Sequence, residues 1–199
     1  MKKSILQAGG MLVFMMILCG LVYTLLITGI GQTLFPRQAN GSVIEIDGKT
    51  YGSELLGQRF TGEEYLWGRV MNVDTGSFTD ADGKPVMYAW ASNLSPASPE
   101  FEALVSQRVE ALRRANPDMD EAAIPVDLVT CSGSGLDPEI SPAAAEYQVA
   151  RIARDRDISE DTVRSAIEAA TTGRLLGVFG EPRVNVLKVN LILDGVLEV

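Results

Sequence analysis

The sequence predicts an α+β soluble domain tethered by one N-terminal transmembrane helix. Three observations carry that reading. Residues Ala8 to Ile30 run without a single charge. Only Lys2, Lys3 and Arg37 of the 17 basic residues precede residue 38, whereas all 26 acidic residues follow it. Beyond residue 42, short β-branched runs alternate with capped stretches of helical period. The expected organisation is a short basic tail over 1–7, a span over 8–30, a linker over 31–41 and a soluble domain over 42–199.

Composition removes whole classes of chemistry. The 199 residues include no histidine, so nucleophiles that depend on an imidazole base are excluded, and so is the commonest zinc ligand. Cys19 and Cys131 are the only cysteines, which leaves no disulfide framework and no cysteine metal cluster. A net charge of −9 argues against nucleic acid as a partner. No hydrolytic constellation is legible, so the chain is expected to be no enzyme on its own and to hold no tightly bound cofactor.

The span reads "AGGMLVFMMILCGLVYTLLITGI". A bilayer core needs about 20 apolar residues as helix, and a cleaved signal has an apolar region of only about 7–15. Ile17 and Leu18 precede Cys19, where a lipoprotein signal needs a small residue. The expectation is an uncleaved, single-pass anchor in the bilayer. Lys2 and Lys3 favour a cytoplasmic N-terminus, which puts the acidic domain outside the cytoplasm. Gly9, Gly10, Gly20 and Gly29 punctuate the span, as in membrane helices generally and at helix–helix contacts in particular.

In the soluble part, Val43, Ile44 and Ile46 before Asp47-Gly48 predict a β-hairpin. Asp80-Ala81-Asp82-Gly83 resembles the start of a calcium loop, but Pro85 and apolar residues stand where further ligands belong, so a solvated turn is expected. Ser98-Pro99 opens a helix whose Phe101, Leu104, Val105, Val109 and Leu112 share a face; Arg108, Arg113 and Arg114 are assigned to its wet side. "AIPVDLVTC" reads as a short buried strand. Ser141-Pro142 opens a second helix, and Ser159 caps a third with Val163, Ala166, Ile167 and Ala170 inward. "RVNVLKVNLILDGV" alternates like a half-exposed strand.

The stretch "VTCSGSGLDPEISPAAAEYQVARIARDR" joins a glycine loop to a helix start. Gly133 and Gly135 would let amides face an anion, and a helix N-terminus favours one. The P-loop pattern fails, because Leu136 and Asp137 follow the last glycine. The dinucleotide spacing fails at its third glycine. Asp137 and Glu139 would repel phosphate. Two readings stand: a nucleotide loop, and a structural corner fixed by Asp137-Pro138 and Ser141-Pro142. On a helix, Gln148 shares a face with Ala144 and Arg151.

These blocks together resemble the C subunit of the bacterial Kdp potassium-transporting P-type ATPase. The resemblance is carried by "GSELLGQRF" (Gly52 to Phe60), "SNLSPASPEF" (Ser92 to Phe101), the run from Arg114 to Arg156 and "VNVLKVNLILD" (Val184 to Asp194). One block departs: Gly68-Arg69 leads into Val70-Met71-Asn72, where many members have Pro-Ser and then Tyr-Asn. The resemblance implies an accessory subunit needed for assembly. Its partners would be a channel-like potassium-translocating A subunit, a P-type ATPase B subunit and a small F subunit. It also implies a role as catalytic chaperone that raises the ATPase subunit's affinity for ATP. Gln148 would read the ribose, with Ser132, Gly133, Ser134, Gly135 and Arg151 around the nucleotide. Family architecture puts the domain outside, over the A subunit. The rival is a regulatory subunit with a cytoplasmic domain, forming a ternary complex with the ATPase subunit and ATP.

Overall fold

The computed structural model describes residues 2–119 and 122–198. The chain forms two compact units, which part between Val43 and Ile44.

The first unit is dominated by one helix, α1 (Lys2–Leu34), the only one among the described residues long and apolar enough to cross a membrane. At 1.5 Å per residue it is about 50 Å long, more than the roughly 30 Å of a hydrocarbon core. It thus extends beyond the expected span at both ends. It stops at Phe35, whose extended φ of −134° suits a residue before proline. Met16–Tyr23 winds in wider, π-type turns, and the Thr24 hydroxyl donates to the Cys19 carbonyl just there (3.2 Å).

The second unit is α+β. Its opening hairpin, β1 (Val43–Ile46) and β2 (Lys49–Ser53), turns where the sequence predicts. Asp47 and Gly48 both have positive φ, +52° and +74°, as a type I′ turn requires. A two-residue ladder, β3 (Val73–Asp74) with β4 (Tyr88–Ala89), follows in the divergent region. Between these strands Asp80 turns its carboxylate onto the amides of Asp82 and Lys84, which makes a plain Asx turn.

Helix α2 (Pro99–Ala115) starts at Ser98, whose hydroxyl accepts from the Phe101 amide. Only its C-terminal part is covered: Leu112 and Ala115 are buried, whereas Leu104 stays exposed. Helix α3 (Pro142–Glu146) is capped by Ser141. The chain breaks step at Tyr147–Gln148 and resumes as α4 (Val149–Arg156). Asp157 closes α4 in the left-handed conformation, φ +54°. Helix α5 (Glu160–Ala169) is capped by Ser159, and Val163, Ala166, Ile167 and Ala170 are buried as expected.

Two strand expectations are overturned. Within "AIPVDLVTC", Val126–Leu128 is a 3₁₀ turn and only Cys131 makes a bridge, to Val70. The turn follows Pro125, the Thr130 hydroxyl bonds back to the Val126 carbonyl, and the Asp127 carboxylate leaves to hold the Ser141 amide (2.7 Å). In "RVNVLKVNLILDGV" only β7 (Arg183–Asn185) is strand. It lies between β5 (Glu139–Ile140) and β6 (Thr171–Thr172), antiparallel to both. Asn185 then caps α6 (Val186–Leu193) by accepting from the Lys188 amide. Val186, Leu187, Val189, Asn190 and Leu191 are all buried. A segment buried on nearly every side loses the periodicity that tells helix from strand.

The core gathers α3 to α6, the end of α2, and Leu66 and Trp67 from an irregular segment. A smaller cluster seats the hairpin residue Ile44 on Leu187 and Leu191 of α6.

Candidate functional site

The predicted site residues divide into two groups. Ser132, Gly133, Ser134 and Gly135 form a turn at the domain's surface, and Gln148 and Arg151 lie in the core.

In the turn, the Ser132 and Ser134 hydroxyls pair with each other at 3.1 Å. They also accept from the Gly135 and Leu136 amides, both at 3.2 Å. The neighbouring amides of Glu139, Ser141 and Ala144 are held by Asp137, Asp127 and Ser141. The Gly135 and Leu136 carbonyls accept from Asn72 and Gly57, so the turn joins two other segments. Gly135 has φ +72°, and a Cβ there would lie 2.3 Å from the Trp90 carbonyl oxygen. Gly133 is exposed, with open space where a side chain would go. One glycine is therefore demanded by packing and the other is not.

Gln148 is completely buried, and each of its polar atoms is engaged. Its oxygen accepts from the Trp67 amide (2.9 Å) and from Arg151 Nη2 (2.7 Å). Its nitrogen donates to the Trp67 and Ala144 carbonyls, both at 3.0 Å. Asn190 treats the preceding residue alike: Oδ1 accepts from the Leu66 amide (2.8 Å) and Nδ2 donates to its carbonyl (3.0 Å). Two side-chain amides thus take the place of a neighbouring strand.

Arg151 completes the arrangement. Its guanidinium lies 4.3 Å from the centre of the Trp67 ring. It donates to the carbonyls of Glu63 and Tyr65 and, through Nε, to Asn116 (3.2 Å). Burial pushes its pKa down to about 10, with Asp155 and Glu63 opposing, so it is charged at neutral pH. Arg156 donates to the Glu64 carbonyl (2.6 Å), Arg108 to that of Gly68 (3.3 Å) and Trp67 Nε1 to that of Gly62 (2.8 Å). Every carbonyl from Gly62 to Gly68 therefore accepts a side-chain donor. The carbonyls of a segment outside any sheet are thus satisfied mainly by side chains, with one backbone turn from the Tyr65 amide to the Gly62 carbonyl.

Arg108 is the correction to the wet face of α2. It turns inward, donating also to the Leu128 carbonyl (3.0 Å), and stands 5.7 Å from the Trp67 ring centre. Sequence reasoning missed Arg108, Arg156, Asn116 and Asn190. Their long-range partners, Leu128, Glu64, Arg151 and Leu66, lie 20 to 124 residues away, beyond the reach of local periodicity. The signal that remained was an uncharged polar residue flanked by apolar ones, Gln148 between Tyr147 and Val149 and Asn190 between Val189 and Leu191.

Residues 5–195 match the family described as "K+-transporting ATPase, c chain". A protein of Clostridium perfringens named "Potassium-transporting ATPase KdpC subunit" is 60% identical over 196 residues, 98% of this chain and 97% of its own. A Clostridium botulinum protein of the same name is 57% identical over 182 residues, covering 92% and 90%. One from Methylococcus capsulatus is 50% identical over 184 residues, covering 92% and 93%. By this match along nearly its whole length, the chain belongs to the KdpC family, the c chains of K+-transporting ATPases.

Proposed function

We propose that the chain is a non-catalytic accessory subunit of an ATP-driven potassium importer; its relatives are named as subunits of a potassium-transporting ATPase. Helix α1 anchors it in the cell membrane. The N-terminus is cytoplasmic and the acidic domain faces outside. There it holds the channel-like A subunit and the ATPase B subunit together, with the small F subunit beside them.

The observation that carries this reading is an apolar finger. Leu175 and Phe179 pair their main chains (2.8 and 3.0 Å) across a turn at Leu176-Gly177, φ +54° and +75°. Arg174 and Glu181 close its base with an ion pair of 2.6 Å. Leu175, Leu176, Val178 and Phe179 all face solvent, Leu176 with 83% of its surface. Exposed apolar side chains on a preorganised hairpin suit a protein–protein contact, since burying each is worth about 1.5–3 kcal/mol before association costs. Arg174, the finger's one cation, is paired with Glu181, so the finger carries no net positive charge toward an anionic lipid surface.

The test is Leu176→Asp combined with Phe179→Asp, with the complex captured from membranes through a tag on another subunit. Recovery of the c chain should fall at least roughly tenfold, the effect of losing one buried anchor. The variant's own melting temperature in detergent should not move. Full recovery would overturn the reading. Orientation is tested separately with Asp82→Cys and a membrane-impermeant thiol reagent. Labelling only after the membrane is opened would favour the cytoplasmic alternative.

The resemblance assigns ribose recognition to Gln148. Because its polar atoms are spent on Trp67, Ala144 and Arg151, we read Gln148 as architectural. Any effect of this subunit on ATP affinity would then pass through assembly rather than through Ser132–Gly135 and Gln148.

A further inference from the structure

Residues 58–61 and 68–71, with Arg108 of α2, enclose a cavity of about 260 Å³. Three arginines line it: Arg59, Arg69 and Arg108. Gln58 and Thr61 add further polar groups to its wall.

The arginines are poorly compensated. Among the described residues, Arg59 has no hydrogen-bond or ion-pair partner, and no carboxylate lies within ion-pair distance of Arg108. Arg69 makes two long contacts, to Asp137 and to the Cys131 carbonyl, both at 3.3 Å. Its Nε is buried and has no partner at all. A buried donor without an acceptor costs about 1–3 kcal/mol, and native structures keep few of them. Burial, and then repulsion from Arg59, lowers the pKa of Arg108. Three guanidiniums face one carboxylate in a chain whose net charge is −9. Arg108 is engaged by the Gly68 and Leu128 carbonyls, so the spare capacity lies with the exposed Arg59 and the unmatched Nε of Arg69.

We infer that the cavity binds an oxyanion of the phosphate class. Arg69 and Arg108 form its inner wall, and Arg59 closes over the ligand from the solvent side. A dianion neutralises the charge left after Asp137, whereas a monocarboxylate leaves part of it. Guanidinium forks match phosphate oxygens in pairs. The inference is independent of assembly, of orientation and of the Ser132–Gly135 turn.

The test is calorimetric titration of the full-length chain in detergent at low ionic strength, with inorganic phosphate and, separately, with acetate. Phosphate should bind and acetate should bind much more weakly. Arg59→Gln should weaken phosphate at least roughly tenfold, the loss of one charge-assisted hydrogen bond. Because the exposed Arg59 has no hydrogen-bond or ion-pair partner among the described residues, its variant should melt as the parent does. Arg108→Lys, which keeps the charge and loses the fork, should also weaken phosphate. Competition by ATP would assign the phosphate of a nucleotide, and its lack would assign the free ion. No phosphate binding at millimolar concentration would overturn the inference. So would unchanged binding in Arg59→Gln, or equal binding of acetate.

Discussion

Two groups of arginines lie against the same stretch of main chain, and they are put to opposite uses. Around Gly62 to Trp67, Arg151 and Arg156 spend their donors on carbonyls, and Gln148 and Asn190 do the same with their amides. Around the cavity, Arg59 spends none and Arg69 leaves a buried Nε unmatched. Arg108 belongs to both, since it holds Gly68 and also lines the cavity. What separates a clamp from a binding site is therefore residual hydrogen-bonding capacity, not residue type. By that measure the clamp is saturated and the cavity is not.

The largest expected effect is on the clamp. Arg151→Met removes the charge together with its desolvation cost, but leaves the carbonyls of Glu63 and Tyr65 and the Asn116 oxygen without their donor. The full chain in detergent should lose more than about 3 kcal/mol of stability, read by urea unfolding through the combined fluorescence of Trp67 and Trp90. Wild-type stability in that variant would break the clamp. Gln148→Ala comes next, at about 2–4 kcal/mol for the two unpaired groups of Trp67. If instead the variant unfolds like the parent while the assembled complex loses ATP affinity, Gln148 is a ligand residue after all. Gly135→Ala should cost at least about 1–2 kcal/mol through its positive φ, and more through the clash with Trp90. Gly133→Ala, two residues away in open space, should stay within about 0.5 kcal/mol. Smallest in stability is Arg59→Gln, also within about 0.5 kcal/mol, although its effect on phosphate is large. That pairing sharpens the contrast, because the residue that matters least to the fold matters most to the cavity.

Local signals were legible wherever the chain solves its own problem. Ser98, Ser141 and Ser159 cap the helices they precede, and Asp47-Gly48 turns the hairpin. The stripe of α5 is buried as its period predicts. Signals failed where the environment decides. The run after Val184 is apolar on nearly all sides, so alternation and helical period both fit it, and the Asn185 cap settles the matter for helix. Arg108 follows Ser106-Gln107 on a periodic helix and reads as solvated, yet it is half-buried and bonds the Leu128 carbonyl. The divergent block after Arg69 gave no warning that Val70 and Met71 help to line a cationic cavity.

The sequence by itself determined the apolar N-terminal helix, the acidic α+β domain and the family. Uninterrupted apolarity, charge segregation and the order of the family-matching blocks are all written along the chain. Only the tertiary structure decided which polar residues remain available to a partner. Gln148 meets Trp67 across 81 positions and Asn190 meets Leu66 across 124, while among the described residues the exposed Arg59 has no hydrogen-bond or ion-pair partner. Hydrogen-bond satisfaction is a property of the folded neighbourhood, because a donor is spent or spare only once the chain has brought its acceptor near.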